Sequence, residues 1–178
     1  FNMLFDPGLK NYTDSLLKLM EQDGVDIEKM GFVINTHSHP DHFDGTVNFT
    51  KYGIPAGMHK DEIKFLNETG PQFYRMMGMQ FPEIKFDIEL EEGYLQIGDH
   101  ELEVYKTPGH SPASSCIYWR EKKVLVCGDL IFNNSFGRVD FPGGNAAELK
   151  ESIMRISQLD IEYLLPGHME IVAGKENV

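Results

Sequence analysis

The sequence predicts an α/β fold in which central sheets are covered by helices on their outer faces. Some segments repeat apolar residues at helical spacing, others are short apolar runs bounded by turn residues, and the two kinds do not alternate strictly. A length of 178 residues fits one domain covering residues 1–178. Apolar residues at 41% and charged residues at 25% exclude the disordered and fibrous classes.

The first half of the chain is predicted to contain three strands and three helices. Its opening apolar residues stop at Asp6-Pro7-Gly8, a strong turn signal, and are typical of the end of a strand. Strands are predicted at residues 1–5, 32–34 and 54–58, and helices at residues 11–22, about 42–52 and 61–68. The segment 70–83 contains two Pro, two Gly and three Met, and we expect an irregular lid there.

Short strands dominate the second half, separated by turn signals such as Glu92-Gly93 and Gly98-Asp99. Strands are predicted at residues 86–90, 94–97, 101–106, 114–119, 123–127 and 161–165. One helix is predicted at residues 145–158, with Asn145 as its N-cap and with Leu149 and Ile153 on its apolar face.

The acidic composition limits the partners. Sixteen Lys and Arg against 28 Asp and Glu give a net charge of −12, which argues against a nucleic acid or an anionic membrane surface. No apolar run approaches the roughly 18–20 residues of a membrane span, and residues 1–9 do not resemble a signal peptide. The two cysteines, Cys116 and Cys127, are too few for a disulfide framework and are predicted to be core residues. We therefore expect a cytoplasmic protein.

A cluster of histidines follows the strand predicted at residues 32–34. His37, His39, Asp41 and His42 lie within six residues, out of seven histidines in the chain. Alternate residues of an extended segment point the same way, so His37 and His39 can face one point. Asp41 and His42 fall where a helix begins and can face a second point close by. Neutral imidazoles and carboxylates are ligands for first-row metals, most often zinc.

Three further strand ends carry one metal-binding type of residue each. His110 follows Thr107-Pro108-Gly109, Asp129 follows an apolar run and a glycine, and His168 follows Pro166-Gly167. Each of these alone is a weak signal, because single histidines and Gly-Asp turns are common in loops. The same arrangement repeated four times predicts that the ligands converge at one edge of a sheet core.

These residues in this order resemble the metallo-β-lactamase-fold hydrolase superfamily. The resemblance runs from Asp6-Pro7-Gly8 to Gly167-His168, and it implies an αβ/βα sandwich of two central mixed sheets flanked by helices. It also implies that members begin with a strand pair and close with a helix, so we expect this chain to lack the first strand pair and the last helix. Asp6 matches an aspartate of the family that lies beside the site without binding a metal.

The resemblance implies two divalent metal ions, zinc first, with iron or manganese as alternatives. The first ion would be bound by His37, His39 and His110, the second by Asp41, His42 and His168, and Asp129 would bridge both. Two cations sharing a water lower its pKa, so that a bridging hydroxide can attack a carbonyl carbon near neutral pH. Asp41 and Asp129 are the predicted catalytic residues, with Asp41 also taking up a proton during turnover.

The segment 128–144 resembles the glyoxalase II-like branch, whose members are thioesterases of the hydroxyacylglutathione hydrolase type. Within it we expect an ion pair between Arg138 and Asp140 beside the metals. Full-length glyoxalase II enzymes carry a further helical domain with much of the glutathione site, whereas this chain ends ten residues after His168. The predicted substrate is therefore a small-molecule thioester, with the thiol carrier and the oligomeric state left open.

Two alternatives stay open. A persulfide dioxygenase of the same fold would use one iron bound by His37, His110 and Asp129. That branch usually has Cys where this chain has Ser135 and Gln-Gln where it has Pro142-Gly143, which favours the hydrolase. The alternative from another class is a non-catalytic metal-binding protein, and the complete ligand set argues against it, since structural zinc sites are usually closed and mononuclear.

The other two histidines are given structural roles. We expect His59 to lie at the entry of a helix and His100 to be exposed in a turn. The aromatic and Met side chains of residues 70–83 form either the apolar wall of a substrate pocket or the packing of the lid or a dimer contact.

Overall fold

The structure is a computed structural model that describes residues 2–177. It contains two compact units, one ending at Glu89 and the other beginning at Leu90, and each is described by itself. The prediction of a single domain stays a prediction. Phe1, with which the first predicted strand begins, lies outside the described residues.

The sheet of the first unit brings three strand ends to one edge. Its strands are β1 (Asn2–Phe5), β2 (Met30–Ile34), β3 (Ala56–His59) and β4 (Ile88–Leu90), in the order β1-β2-β3-β4. β1 and β3 both pair parallel to β2, with Phe5 opposite Ile34 and Ile34 opposite Gly57. Because the carboxyl ends of parallel strands meet at the same edge, the residues that follow Phe5 and Ile34 are neighbours.

Four α-helices pack on this sheet: α1 (Thr13–Gln22), α2 (Pro40–Phe43), α3 (Thr46–Thr50) and α4 (Lys60–Met76). One apolar cluster joins α1 and α3 to β2 and contains Met20, Met30, Val33, Phe49 and Ile54. A second joins α2 and α4 to β3 and contains Phe43, Met58, Leu66 and Tyr74. Short 3₁₀ turns at Lys10–Tyr12 and Ile27–Lys29 complete the unit.

The single helix predicted at residues 42–52 is wrong, because the chain forms α2 and α3 with Asp44 and Gly45 between them. Gly45 donates its backbone N–H to the Gly8 carbonyl at 2.6 Å. A Cβ at Gly45 would lie 2.8 Å from that same oxygen, so only glycine permits this approach. A contact with a residue 37 positions earlier therefore sets the break.

The irregular lid predicted from residue 70 onward is also wrong over its first part, because α4 continues to Met76. Pro71 has no N–H to donate to the carbonyl of Asn67 one turn earlier. Both residues are exposed, so water can bind that carbonyl instead. Phe73 and Tyr74, two and three residues after this proline, are buried. Their burial outweighs the local cost of the proline.

The second unit is built on a mixed six-stranded sheet. Its strands are β5 (Gly93–Ile97), β6 (His100–Lys106), β7 (Ser115–Trp119), β8 (Val124–Gly128), β11 (Tyr163–Pro166) and β12 (Val172–Ala173), in the order β12-β11-β8-β7-β6-β5. Only β8 and β11 pair in parallel, and the other neighbours are antiparallel. A small hairpin of β9 (Ile131–Phe132) and β10 (Ser135–Phe136) follows β8.

Helix α5 (Ala146–Ile156) covers this sheet. Asn145 caps it as predicted, because its side-chain oxygen accepts from the backbone N–H groups of Ala147 and Glu148 at 3.0 and 3.3 Å. The core beneath it includes Cys116 and Cys127, which are buried free thiols. The predicted α/β class with mixed sheets flanked by helices is confirmed. Within residues 2–177, every helix is too short or too polar to cross a bilayer.

Candidate metal centre

The loop after β2 gathers the histidines of the first unit. His37, His39 and His42 are buried, and the ring of His37 lies 4.8 Å from that of His39 and 4.2 Å from that of His42, measured between centroids. His39 is the N-cap of α2 with extended backbone, and Pro40 begins the helix. Because the chain changes from extended to helical at Pro40, the side chains of Asp41 and His42 do not continue the every-second-residue spacing of His37 and His39.

Asp41 lies at the exposed side of this group. Its side chain is half exposed, and its Oδ2 is 3.9 Å from Nε2 of the buried His42. Asp41 and Asp44 also affect the buried Tyr74, whose pKa is raised first by burial and then by these two negative charges. The phenol therefore stays neutral beside an acidic pair.

Asp6 sits where β1 ends and accepts three hydrogen bonds. The backbone N–H of Thr36 donates to Oδ1 at 2.7 Å, and the Thr36 hydroxyl donates to Oδ2 at 2.6 Å. Nδ1 of His42 lies 3.1 Å from the same Oδ2. Asp6 has a backbone φ of 47°, a left-handed conformation that aspartate tolerates better than most residues. This turn is what carries its carboxylate across to the end of β2.

These bonds fix which nitrogen of each ring carries the proton. Since a carboxylate only accepts, Nδ1 of His42 must be the donor to Asp6. The Thr36 hydroxyl gives its one hydrogen to Asp6, so it accepts from Nδ1 of His37, which is 3.0 Å away. In both neutral rings the lone pair is then on Nε2, the form in which histidine binds a metal.

In the second unit, two histidines meet one carboxylate oxygen. Nε2 of His110 and Nε2 of His168 each lie 3.4 Å from Oδ2 of Asp129. His110 and Asp129 are nearly buried, whereas the side chain of His168 is 46% exposed. The ring of His168 also contacts that of Phe132 at 5.8 Å between centroids. The structure thus assembles all three predicted residues of this half of the chain.

The loop after β10 orients His110. Nδ1 of His110 lies 2.7 Å from the carbonyl oxygen of Arg138, so Nδ1 donates and Nε2 keeps the lone pair that faces Asp129. Gly137 makes this possible, because a Cβ there would collide with the Asp129 carbonyl oxygen. No sequence signal marked these contacts, because the carbonyl groups of Arg138 and Asp129 belong to the main chain and are the same for every residue type.

The predicted ion pair in this loop is confirmed. Nε and Nη2 of Arg138 each donate to Asp140 at 2.6 Å, and the guanidinium stacks on Phe141 at 3.9 Å from the ring centre. The hydrogen bond from Arg138 lowers the pKa of Asp140 to about 2. Both side chains are more than half exposed.

The structure confirms His59 at the entry of a helix and His100 as exposed, although His100 begins a strand and does not lie in the turn as predicted. Nδ1 of His59 accepts from the backbone N–H of Asp61 at 3.2 Å and so caps α4. His100 is exposed, at the start of β6, with its ring 5.0 Å from that of Trp119.

The apolar side chains of residues 70–83 divide between core and surface. Phe73 and Tyr74 are core residues, whereas Met76 and Met77 are exposed. Phe81 lines an open cavity of about 440 Å³ together with Leu66 and residues 82–85. None of the predicted metal ligands lines this cavity, and its lining provides no group for the predicted chemistry.

The donor sets of both units fit a divalent metal ion. In the first unit, Asp6, His37 and His42 offer ligand atoms that lie within 4.8 Å of one another, and in the second unit Nε2 of His110 and Nε2 of His168 each lie 3.4 Å from Oδ2 of Asp129. For His37, His42 and His110, hydrogen bonds at Nδ1 leave Nε2 as the ligand atom. The predicted use of all seven residues in one centre stays a prediction.

Comparison with known families places the chain by sequence. A sequence model described as the metallo-beta-lactamase superfamily matches residues 1–168. A protein of Aquifex aeolicus with no assigned function is 35% identical, covering 98% of this chain and 82% of its own length. A probable metallo-hydrolase of Methanocaldococcus jannaschii is 31% identical, covering 96% and 84%.

Two relatives carry names that state a substrate. The hydroxyacylglutathione hydrolase GloC of Haemophilus influenzae is 28% identical over 84% of this chain and 70% of its own. The acyl-coenzyme A thioesterase MBLAC2 of Gallus gallus is also 28% identical, over 80% of this chain and 57% of its own.

Solved structures agree with the sequence comparison. The B3 metallo-beta-lactamase BLEG-1 superposes with a TM-score of 0.81 at 29% identity, covering 96% of this chain and 82% of its own. The di-iron-bound form of TTHA1623 superposes with a TM-score of 0.78 at 29% identity, covering 94% and 82%. The chain belongs to the metallo-beta-lactamase superfamily.

Proposed function

We propose that this metallo-hydrolase cleaves thioesters and that its two ligand sets bind two divalent ions, zinc by preference. One observation carries the dinuclear part of the proposal. Oδ2 of Asp129 lies 3.4 Å from Nε2 of both His110 and His168. The family pattern gives these two histidines to different ions, and a carboxylate oxygen that faces both supports Asp129 as the ligand shared by the two ions.

In this proposal each residue has a defined task. His37, His39 and His110 would hold one ion, Asp41, His42 and His168 would hold the other, and Asp129 would be the ligand shared by both. A metal pair held there would supply a hydroxide at neutral pH and a Lewis acid for the thioester carbonyl. Asp6 and Thr36 hold the proton on Nδ1 of their histidines, and the half-exposed Asp41 is the group that can pass a proton to solvent.

The thioester preference is supported by the names of GloC and MBLAC2 and by the residues of the 128–144 segment. Both named substrates join an acyl group to a large, polar thiol. We therefore expect an acyl thioester of such a carrier as the substrate, and we expect the acid-rich protein to attract it through the charge of the bound ions rather than through a basic surface.

The test combines metal analysis with a substrate panel. The purified protein is analysed for zinc, iron and manganese and assayed against acyl-glutathione and acyl-coenzyme A thioesters, before and after chelation. We expect two ions per chain, hydrolysis of at least one thioester, and loss of activity that added metal restores. The variant His168→Ala should hold fewer ions, whereas the control His100→Ala should match the parent. Full activity after complete metal removal would overturn the mechanism, and one iron per chain with oxygen uptake on a persulfide would identify a dioxygenase instead.

A further inference from the structure

Ser38 lies between His37 and His39 in the loop that follows β2, which we call the metal loop. The carboxylate of Glu62 in helix α4 holds this serine. The backbone N–H of Ser38 donates to Oε1 of Glu62 at 3.0 Å, and its hydroxyl donates to the same oxygen at 2.6 Å. Ser38 is 4% exposed and Glu62 is fully buried. Both hydrogen bonds are therefore shielded from competing water.

A buried carboxylate is costly unless its charge is compensated. Glu62 lies in the first turn of α4, three residues after the N-cap His59, where the positive end of the helix dipole favours a negative charge. The two donors of Ser38 add charge-assisted hydrogen bonds. The helix end and Ser38 thus compensate the buried carboxyl group of Glu62, and Ser38 lies between His37 and His39.

The double contact restrains the loop more than one hydrogen bond would. The backbone N–H of Ser38 belongs to the peptide group that joins it to His37, so its bond to Glu62 fixes the plane of that peptide. The hydroxyl fixes the side chain of Ser38 at the same time. Because His37 and His39 are the two neighbours of Ser38, the directions of both imidazoles depend on this anchor.

Helix α4 reaches the same loop a second time. Phe73, three turns beyond Glu62 and buried, lies with its ring 5.5 Å from that of His39, tilted by 43°. The rigid helix therefore supports one side of the loop through a polar contact and another through an aromatic one. Of the two, the polar contact is specific for the backbone of the loop.

We infer that Glu62 is a positioning residue for the metal centre, acting through Ser38 on His37 and His39. The inference rests on the proposal that these histidines bind metal, and it does not depend on the thioester substrate. A group that holds a ligand in place typically contributes roughly 10–100-fold to metal affinity. The expected effect is thus on metal binding before any effect on substrate.

The test uses the full chain and cobalt(II) as the metal. The variants are Glu62→Leu, which removes the acceptor at similar size, Glu62→Gln, which keeps an acceptor oxygen, and Ser38→Ala, which removes only the hydroxyl donor. Glu68→Gln, an exposed position on the same helix, is the matched control. Cobalt affinity is measured by competition with a chromophoric chelator, the ligand field by the visible d–d spectrum, and folding of the metal-free forms by thermal melting.

We expect Glu62→Leu to bind cobalt roughly 10–100-fold more weakly with an altered d–d spectrum, Ser38→Ala to lie between it and the parent, and Glu62→Gln to recover most of the affinity. If Glu62→Leu does not fold, Ser38→Ala decides by the same two measurements. Parental affinity and spectrum in the folded acceptor-free or hydroxyl-free variant would overturn the inference. If the unmutated protein binds cobalt but hydrolyses no thioester, while the variants bind cobalt more weakly, the proposed function is contradicted and the inference on Glu62 stands.

Discussion

Oδ2 of Asp6 lies 3.1 Å from Nδ1 of His42, although the two residues are 36 positions apart in the chain. The same carboxylate binds Thr36 twice and through it sets the proton on His37. One aspartate at the end of the first strand therefore determines the tautomer of two histidines on the next loop. This relationship leads to the first prediction.

Asp6→Asn should weaken metal binding roughly 10–100-fold while leaving the fold intact. Asparagine tolerates the same left-handed backbone, but its side chain replaces one of the two carboxylate oxygens by an NH₂ group. Both oxygens of Asp6 accept hydrogen bonds from Thr36 or His42. In either orientation of the amide, the NH₂ group therefore faces at least one of these donors. The measurement is metal affinity alongside the thermal midpoint, with the exposed Asp14→Asn as control. Equal affinity in both variants would contradict the assignment of the tautomers.

Gly137→Ala should abolish most of the activity, because its Cβ collides with the Asp129 carbonyl oxygen and approaches Nδ1 of His110 at 3.1 Å. The control is Gly24→Ala, at a position with φ of 73° and nothing within 4 Å of the added carbon. That control should cost about 1–2 kcal/mol of stability through backbone strain alone and keep its activity per folded molecule. Thermal melting and metal-dependent hydrolysis separate the two effects, and an active Gly137→Ala protein would speak against the contact.

Arg138→Gln should return the pKa of Asp140 from about 2 toward its ordinary value of about 3.9. Because the folded pKa is lowered, the ion pair stabilises the fold above the ordinary pKa and is lost as the pH falls from about 3.9 to about 2. The pair is exposed, so its effect on stability is small, and carboxyl NMR titration is the suitable measurement. Metal affinity should be retained, since His110 bonds to the backbone of Arg138. A large loss of affinity would show that the side chain also positions the loop.

Neither cysteine should react with a thiol reagent at pH 8 until the protein unfolds. Burial raises the pKa of Cys116 to about 12 and that of Cys127 well above its usual range. With the folded pKa raised, the stability from the neutral Cys116 thiol is full below about 8.5, the ordinary value, and declines as the pH rises toward about 12. A disulfide-exchange chromophore should report no thiols in the native protein and two in denaturant. Rapid reaction of one native thiol would contradict the burial.

The sequence was informative where chemistry and local signals coincide. His37, His110 and His168 each follow a strand and a turn, so strand periodicity and residue type together predicted where they lie. The break at Gly45 escaped prediction because it depends on the Gly8 carbonyl, which lies far away in the chain. Likewise, the Gly70-Pro71 signal predicted an irregular segment, since nothing local reveals that α4 buries its far end.

The role of Glu62 was not predictable for a different reason. Exposed glutamates are common in the first turn of a helix, because the helix dipole favours a negative charge there. A buried glutamate at this position has the same sequence context as an exposed one. Only the approach of Ser38 distinguishes the two cases. The two-residue strands β9, β10 and β12 are likewise too short for any periodicity to show.

The two sets of ligands differ in how much of the chain must close before they exist. His37, His39 and His42 are near neighbours in sequence, and only the pairing of β1 with β2 is needed to bring Asp6 to them. Asp129 and His168 are 39 residues apart and meet only when β11 pairs with β8. Since contacts between residues far apart in sequence form slowly, the three neighbouring histidines should come together early on the folding pathway, and the pair of Asp129 and His168 should form only with the parallel pairing of β11 and β8.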